Sequence, residues 1–462
     1  MKNILISLGS VIREKGLFEE IKPISDKTFF LIEKKHKFLY ENLLEKQKIY
    51  FEINLKKKEK YIFSKKINTN LIYKITEEIL KDQNSYFILS RRKLSYYEYS
   101  PMRMNDIAVH LINKAINIII TNKIEYFIVH NTPHSENWFL FRTAEIMGKK
   151  VYVIRESIIH GYSRFYSGLK NQKIVNAGGD NFKLKAKLVN TFFKEKTNSS
   201  YLIPELQNNR KNLYREGFSG LIPEIKFFLK EDSFNLNRTI KAKLSVIKTA
   251  ILKKESLNFY QDQVAVKKDI DLKNYYPYVV YFMHYQPERT SIPEADSFSY
   301  QYKTILLLRN LLPKNINLLI KEHPDTYRNK FSARFKSKET YKNILSLPGV
   351  FFCDMNIDPY TLLDNSIITA TLTGNVGIES ICRGKKLIYF GNPIYKDYPY
   401  SINGCDKNFK TKLKKFLEMD QNIEKEYIKD YLKKFINYSY KNDFDNFSIN
   451  LLNHLIKLIE ID

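Results

Sequence analysis

Between residues 275 and 400 the chain alternates short apolar runs with helical stretches, and this alternation limits the fold more than any other feature. "YVVYFMH" (278–284), "NINLLIKEHP" (315–324), "GVFFCD" (349–354), "IITATLTG" (367–374) and "KKLIYFG" (385–391) each read as a buried strand. "FSYQYKTILLLRNLL", "PYTLLDNS" and "NVGIESICRG" between them have helical spacing. Strands that alternate with helices in this way build a parallel sheet with helices on its faces. The pattern predicts a Rossmann-like α/β domain over 269–410.

A parallel sheet gathers the carboxyl ends of its strands on one edge, because each helix returns the chain to the other. Ligands of open α/β sheets bind along that edge. The loops leaving it here are dense in functional groups. "HYQPERTS" carries Gln286, Glu288 and Arg289. Arg289 can fork onto phosphate or carboxylate, and Glu288 can orient hydroxyls or act as a base. "IKEHP" ends on Lys321 and His323, with Pro324 fixing the direction of the chain. A histidine held there can donate to phosphate oxygens as charge builds on them.

"TLTGNVGIES" is the most informative loop. Thr371 and Thr373 supply hydroxyls, Gly374 and Gly377 bracket a tight turn at Asn375, and the helix that follows aims its free N–H groups at the turn. That is the pattern of a phosphate cradle. Glu379, inside the helix, is placed to accept from a ribose hydroxyl. The stretch is neither GxGxxG nor a Walker loop, which argues against dinucleotide binding and against an ATPase. Each loop also has a plain reading: a surface turn, a satisfied strand-end histidine, or a turn that needs glycine.

The N-terminal half repeats the theme less regularly. "IEYFIVH" (124–130) and "VYVIRES" (151–157) read as strands, joined by a helix in "WFLFRTAEIMGKK" that Gly148 closes. A long helix follows Pro101. The run "FFLIEKKHKFLYENLLEKQKIYFEI" is spaced like amphipathic helix. "HNTPHSEN" and "RESIIHGY" leave strand ends and offer His134, Glu136, Glu156 and His160. Residues 171–268, dense in Lys and Asn, read as a helical insert and connection, and 411–462 as helical tail. The expected divisions are therefore 1–170, 171–268, 269–410 and 411–462.

At 462 residues two domains are the natural division. Cys353, Cys382 and Cys405 form no CxxC pair and suit a reducing compartment. Pro133 breaks the histidine pair in "HNTPH", so no zinc site is expected there, nor any metal elsewhere. The N-terminus reads as a first strand, not a signal peptide, and no window resembles a membrane span. The net charge of +26 comes from Lys scattered along the whole chain, which favours compositional drift over an anionic membrane surface, and nucleic acid least.

With these residues assembled, the chain resembles the capsule polysaccharide biosynthesis family, GT-B glycosyltransferases related to the bacterial β-Kdo transferases of capsule assembly. "HYQPERTS", "KEHP" and "TGNVGIESICRGKKLIYFGNPIY" resemble the family's QPE-type strand end, its HP motif and its glycine-rich phosphate loop, in the same order. "NTPHSEN" resembles a PH-containing strand end. The resemblance covers 275–400 well and 124–160 loosely, and the first hundred residues hardly at all.

The resemblance implies two Rossmann-like domains facing across a cleft, a terminal helix crossing back onto the first, and no catalytic metal. It implies a nucleotide-sugar donor, often CMP-activated, as substrate with no further cofactor, and a polysaccharide or lipid-linked acceptor. It places the protein in the cytoplasm, or at the inner face of the membrane beside anionic lipid. Carried onto this sequence, His323 serves the nucleotide phosphate, and Thr373, Gly374 and Gly377 contact it. Gln286, Arg289, Lys321, Thr371, Asn375 and Glu379 complete the expected donor site. His323, Glu288, Glu156 and His134 are the catalytic candidates. Asn375 departs from the family's small hydroxyl residue, and the PH motif lacks a preceding acid. Two alternatives stand beside this one: a CDP-polyol phosphotransferase of teichoic-acid type, and a non-catalytic partner in capsule assembly or export. No motif supports specific nucleic-acid binding.

Overall fold

The computed structural model describes residues 3–7, 27–32, 47–51, 69–91, 101–133, 136–158, 162–175, 182–198, 251–252, 254–260, 262–263, 271–286, 288–323, 326, 336–355, 357–420 and 423–441. The chain divides into two compact units: 1–90 with 99–190 and 430–462, and 91–98 with 191–429. Each is built on its own sheet, in the α/β class expected from the sequence.

The first unit runs β1 (Asn3–Ser7), β2 (Thr28–Ile32), β3 (Lys48–Tyr50), α1 (Thr69–Lys81), α2 (Gln83–Arg91), α3 (Pro101–Thr121), β4 (Ile124–His130), α4 (Asn137–Ile146), β5 (Lys150–Glu156), β6 (Tyr162–Ser167) and β7 (Lys173–Val175). Strands β3, β2, β1, β4 and β5 lie side by side and parallel. Strand β6 then turns back antiparallel on β5, and β7 pairs antiparallel with β6. The helix over "WFLFRTAEIMGKK" ends as expected, with Gly148 at φ +74° donating its N–H to Glu145. The helical reading of 29–53 does not hold at its ends, which form β2 and β3. "TFFLI" is an almost continuous apolar run whose positions are nearly all buried, as a parallel strand covered on both faces requires. Periodicity cannot separate so short a run from buried helix. The middle of that run lies outside the described residues.

The division between the units falls within α5 (Phe182–Asn198), whose second half belongs to the second unit. That unit comprises β8 (Tyr278–Phe282), α6 (Gln301–Leu311), β9 (Asn317–Lys321), α7 (Lys338–Leu345), β10 (Val350–Cys353), α8 (Pro359–Asn365), β11 (Ile368–Thr371), α9 (Val376–Cys382), β12 (Lys386–Tyr389), β13 (Ser401–Asn403), α10 (Phe409–Glu418) and the first turns of α11 (Lys425–Asn437). The order across its six-stranded sheet is β10-β9-β8-β11-β12-β13, every pair parallel. The five strands read from the sequence are present, and β13 adds one that was not foreseen. Most of the helical insert expected at 171–268 lies outside the described residues; 182–198 and 254–260 are helical, but its start is not, because Lys173–Val175 form strand β7 against β6.

Strand β8 is buried at every position, and its side chains alternate between two cores. Val279 and Tyr281 join Ile305, Leu308, Ile344, Leu413 and Phe416 on one face. Tyr278, Val280 and Phe282 join Tyr360, Leu362 and Leu363 on the other. Helix ends are closed by their own residues. Asp358 accepts from Thr361 N–H at 3.0 Å ahead of Pro359, an arrangement of about 1 kcal/mol. Past α6, Arg309 donates to the carbonyls of Leu312, Pro313 and Ile316.

The helical tail needs one correction. After α11 the chain forms β14 (Ser439–Lys441), which pairs antiparallel with β6 of the first unit. Tyr440 packs against Phe165 at 4.8 Å between ring centroids, so this terminal stretch serves as a sheet edge.

Candidate functional site

In the second unit the strand order reverses between β8 and β11, where the chain works outward in both directions from the middle of the sheet. Such a switch point opens a crevice beyond the carboxyl ends of the two strands. The loops after β8 and β11 both leave there.

The loop after β8 is held at its root by Gln301, the first residue of α6. Its Oε1 accepts the His284 N–H at 2.8 Å, its Nε2 donates to the His284 carbonyl at 2.7 Å, and Oε1 also accepts from Tyr281. The His284 ring is buried between the two loops. Nδ1 lies 3.1 Å from Thr290 Oγ1 and 3.7 Å from Glu288 Oε2, and Nε2 lies 3.2 Å from Thr371 Oγ1. Thr373 crosses in parallel, donating to the Thr290 carbonyl at 2.7 Å. Burial pushes the Glu288 carboxyl upward, but His284, the Thr290 hydroxyl and His323 outweigh it and hold the group below the usual carboxylate range.

His323, at the end of β9, faces Tyr285 with ring centroids 4.9 Å apart. Its main chain is seated on Glu322, whose buried carboxylate accepts the His323 N–H at 2.8 Å. The same carboxylate takes Lys336 at 3.0 and 3.1 Å, Tyr341 OH at 2.8 Å and Thr326 at 2.8 Å. Burial raises Glu322, and the Lys336 charge with these hydrogen bonds brings it below its ordinary value.

Other expected residues are engaged inside the fold. Lys321 donates to the carbonyls of Asp354 and Met355, tying β9 to the end of β10. Gln286 is buried and donates to the Ser299 carbonyl. Arg289 pairs at 2.6 Å with the fully buried side chain of Glu294. Glu379 is buried beside Lys196 at 3.5 Å, with its carboxyl raised by burial against the Lys196 and Arg383 charges.

Both glycines of the β11 loop are filled from within the protein. A Cβ on Gly377 would lie 2.2 Å from Tyr395 Cζ, and one on Gly374 would lie 2.8 Å from His284 Cε1. Tyr395 OH also donates to the Gly374 carbonyl at 2.7 Å. Asn375 is exposed at the start of α9.

The structure therefore brings Glu288, Thr371, Thr373, Gly374, Gly377 and His323 to one edge. It sets Lys321, Gln286, Arg289 and Glu379 as ties around them. Sequence reading passed over His284, Gln301, Glu294 and Glu322. The signal for His284 was there: a histidine directly after an apolar run, before the strand's apparent end. In the first unit Glu156 is exposed at the end of β5, Glu136 stands just before α4, and His134 and His160 lie outside the described residues. Beyond β4, Gln172 joins Arg155 to Thr132, with contacts of 3.0 and 3.1 Å. Among the described residues no group of three His, Cys, Asp or Glu is placed to hold a metal ion, and no helix is long and apolar enough to cross a membrane.

Residues 225–440 match the family model described as "Capsule polysaccharide biosynthesis protein". Among curated proteins no sequence matches the chain. Solved structures with some likeness include the KpsC β-Kdo 2,7 transferase of Thermosulfurimonas dismutans, 10% identical, covering 78% of this chain and 97% of that one at a TM-score of 0.29. The β-Kdo 2,4 transferase of the same KpsC is 10% identical over 67% of this chain and 79% of that one, TM-score 0.27. A UDP-GlcNAc 2-epimerase of Methanocaldococcus jannaschii is 12% identical over 98% and 100%, TM-score 0.26. The match at 225–440, somewhat under half of the chain, takes in the QPE-type strand end, the HP motif, the glycine loop and the switch-point cluster, and that segment is similar to the capsule polysaccharide biosynthesis proteins.

Proposed function

We propose that the protein is a glycosyltransferase of capsular or other surface-polysaccharide synthesis, binding a nucleotide-sugar donor at the carboxyl edge of the second unit's sheet. The observation that carries this reading is the switch-point cluster of His284, Glu288, His323 and Thr371 lying inside the segment that matches the capsule family. In the transfer, the bond from sugar to phosphate breaks, the acceptor oxygen bonds to the sugar carbon, and the acceptor proton leaves to a base. In this reading His323 donates to the departing phosphate, where negative charge grows. Glu288, held ionised by its neighbours, is a weak base but a strong acceptor, which suits it to orienting donor hydroxyls more than to taking the acceptor proton.

The test is thermal unfolding of the full chain with CMP, CDP, UDP, GDP and ADP, then with the corresponding nucleotide sugars. A ligand at about a hundred times its dissociation constant stabilises by about 2.7 kcal/mol. One nucleotide class is expected to raise the midpoint, and His323→Ala to lose most of that rise. No response to any nucleotide or nucleotide sugar sinks the donor-site reading.

A further inference from the structure

His284 has a double engagement that no motif assigns. Its side chain is 7% exposed. One nitrogen faces Thr290 and Glu288 on the β8 loop, the other faces Thr371 at the end of β11. Both ring nitrogens are thus occupied within the fold, which leaves neither to serve a substrate directly. The backbone beneath the ring is gripped by Gln301 on both its N–H and its carbonyl.

Gly374 completes the arrangement. It has no left-handed φ that would demand glycine, yet a Cβ there would stand 2.8 Å from His284 Cε1 and 3.1 Å from Nε2. A side chain at 374 displaces the imidazole from Thr371. The ring of His284 accounts for this glycine.

We infer that His284 is a positioning residue of the nucleotide site. It latches the loop bearing Glu288 to the loop bearing Thr371 and Thr373, across the gap where the strand order reverses, and Gly374 is glycine to admit its ring. The word "nucleotide" rests on the function proposed above; the latch rests on the distances alone. Two loops that diverge from neighbouring strands present a fixed pair of walls only if something spans them, and His284 spans them with both nitrogens.

The test uses the full chain as His284→Ala, Thr371→Val, the double variant, Gly374→Ala, and Gly374→Ala combined with His284→Ala. Two quantities are read: the unfolding midpoint without ligand, and the dissociation constant of whichever nucleotide shifts the wild type. His284→Ala and Thr371→Val are each expected to weaken the nucleotide by roughly three- to thirtyfold, and the double variant no more than the worse single one. Gly374→Ala is expected to weaken it similarly, with no further loss when His284 is already alanine. His284→Gln, whose amide reaches towards Thr371, restores part of the affinity, and His284→Leu, which fills the space without a polar atom, takes the place of alanine if that variant does not fold.

A wild-type dissociation constant in His284→Ala overturns the inference even if the midpoint falls, because His284 is then only a packing residue. Losses that multiply in the double variant overturn it as well. If no nucleotide shifts the wild type, the donor reading fails separately. The same cycle read in midpoints then decides the latch: non-additivity keeps it, and additivity removes it.

Discussion

Gly377 and Tyr395 illustrate how tightly single residues are fitted around the β11 loop. The tyrosine ring occupies the space a Cβ would take, and its hydroxyl holds the Gly374 carbonyl. Gly377→Ala should therefore cost about 1–3 kcal/mol, the usual loss from overpacking. Chemical denaturation measures it, and Tyr395→Leu in the same chain should recover part of the loss; an undiminished midpoint in Gly377→Ala argues against the fit. At this scale the sequence showed which residue types gather at the strand ends but not which way they face. Lys321, Glu322 and His323 are consecutive, so alternation sends neighbours in opposite directions. Glu322 sat in a run of charged residues, which normally reads as solvated surface, yet its side chain is fully buried. Arg289 looked free for a phosphate because its partner Glu294 lay beyond Pro293, outside the quoted motif.

Among elements, the buried Glu322 joins the end of β9 to α7 through Tyr341 and to the approach of α7 through Lys336. Glu322→Gln leaves Lys336 buried without a full charge opposite, a change of about 3–5 kcal/mol. The pH dependence follows from the lowered carboxyl. Its contribution is fully present above the unfolded carboxylate pKa of roughly 4.3 and is lost as pH falls through the lower folded value. Urea midpoints of wild type and Glu322→Gln should differ by a constant amount from neutral pH to about pH 5 and converge below it. A gap that widens in acid contradicts the assignment. Strands β8 to β12 were legible because a sheet covered on both faces leaves continuous apolar runs between polar loops. Strands β7, β13 and β14 are three residues each and too short to carry a period. For β2 and β3 the flanking charges imitated a helix.

The molecule is two α/β units, and the chain returns to the first after building the second. Residues 430–462 belong to the first unit, though they follow all of the second. Strand β14 lies on β6, Ser439 and Ser157 meet at 2.8 Å, and the Phe435 ring sits 3.7 Å from the Arg164 guanidinium. Ending the chain at Tyr438 should therefore loosen the first unit. Amide exchange in Tyr162–Arg164, the part of β6 that β14 covers, is expected to quicken by about tenfold or more, with Tyr278–Phe282 unchanged. Equal protection of β6 in the two chains would show that β14 contributes nothing. The same pairing sets an order on folding during synthesis. The last segment of the second unit leaves the ribosome before the strand that covers β6, so the unit begun first is finished last. Until then the Tyr162–Arg164 half of β6, beyond the part that β7 covers, presents an open edge, the feature most prone to pairing with the wrong chain, and the nascent protein depends on Ser439–Lys441 to close it.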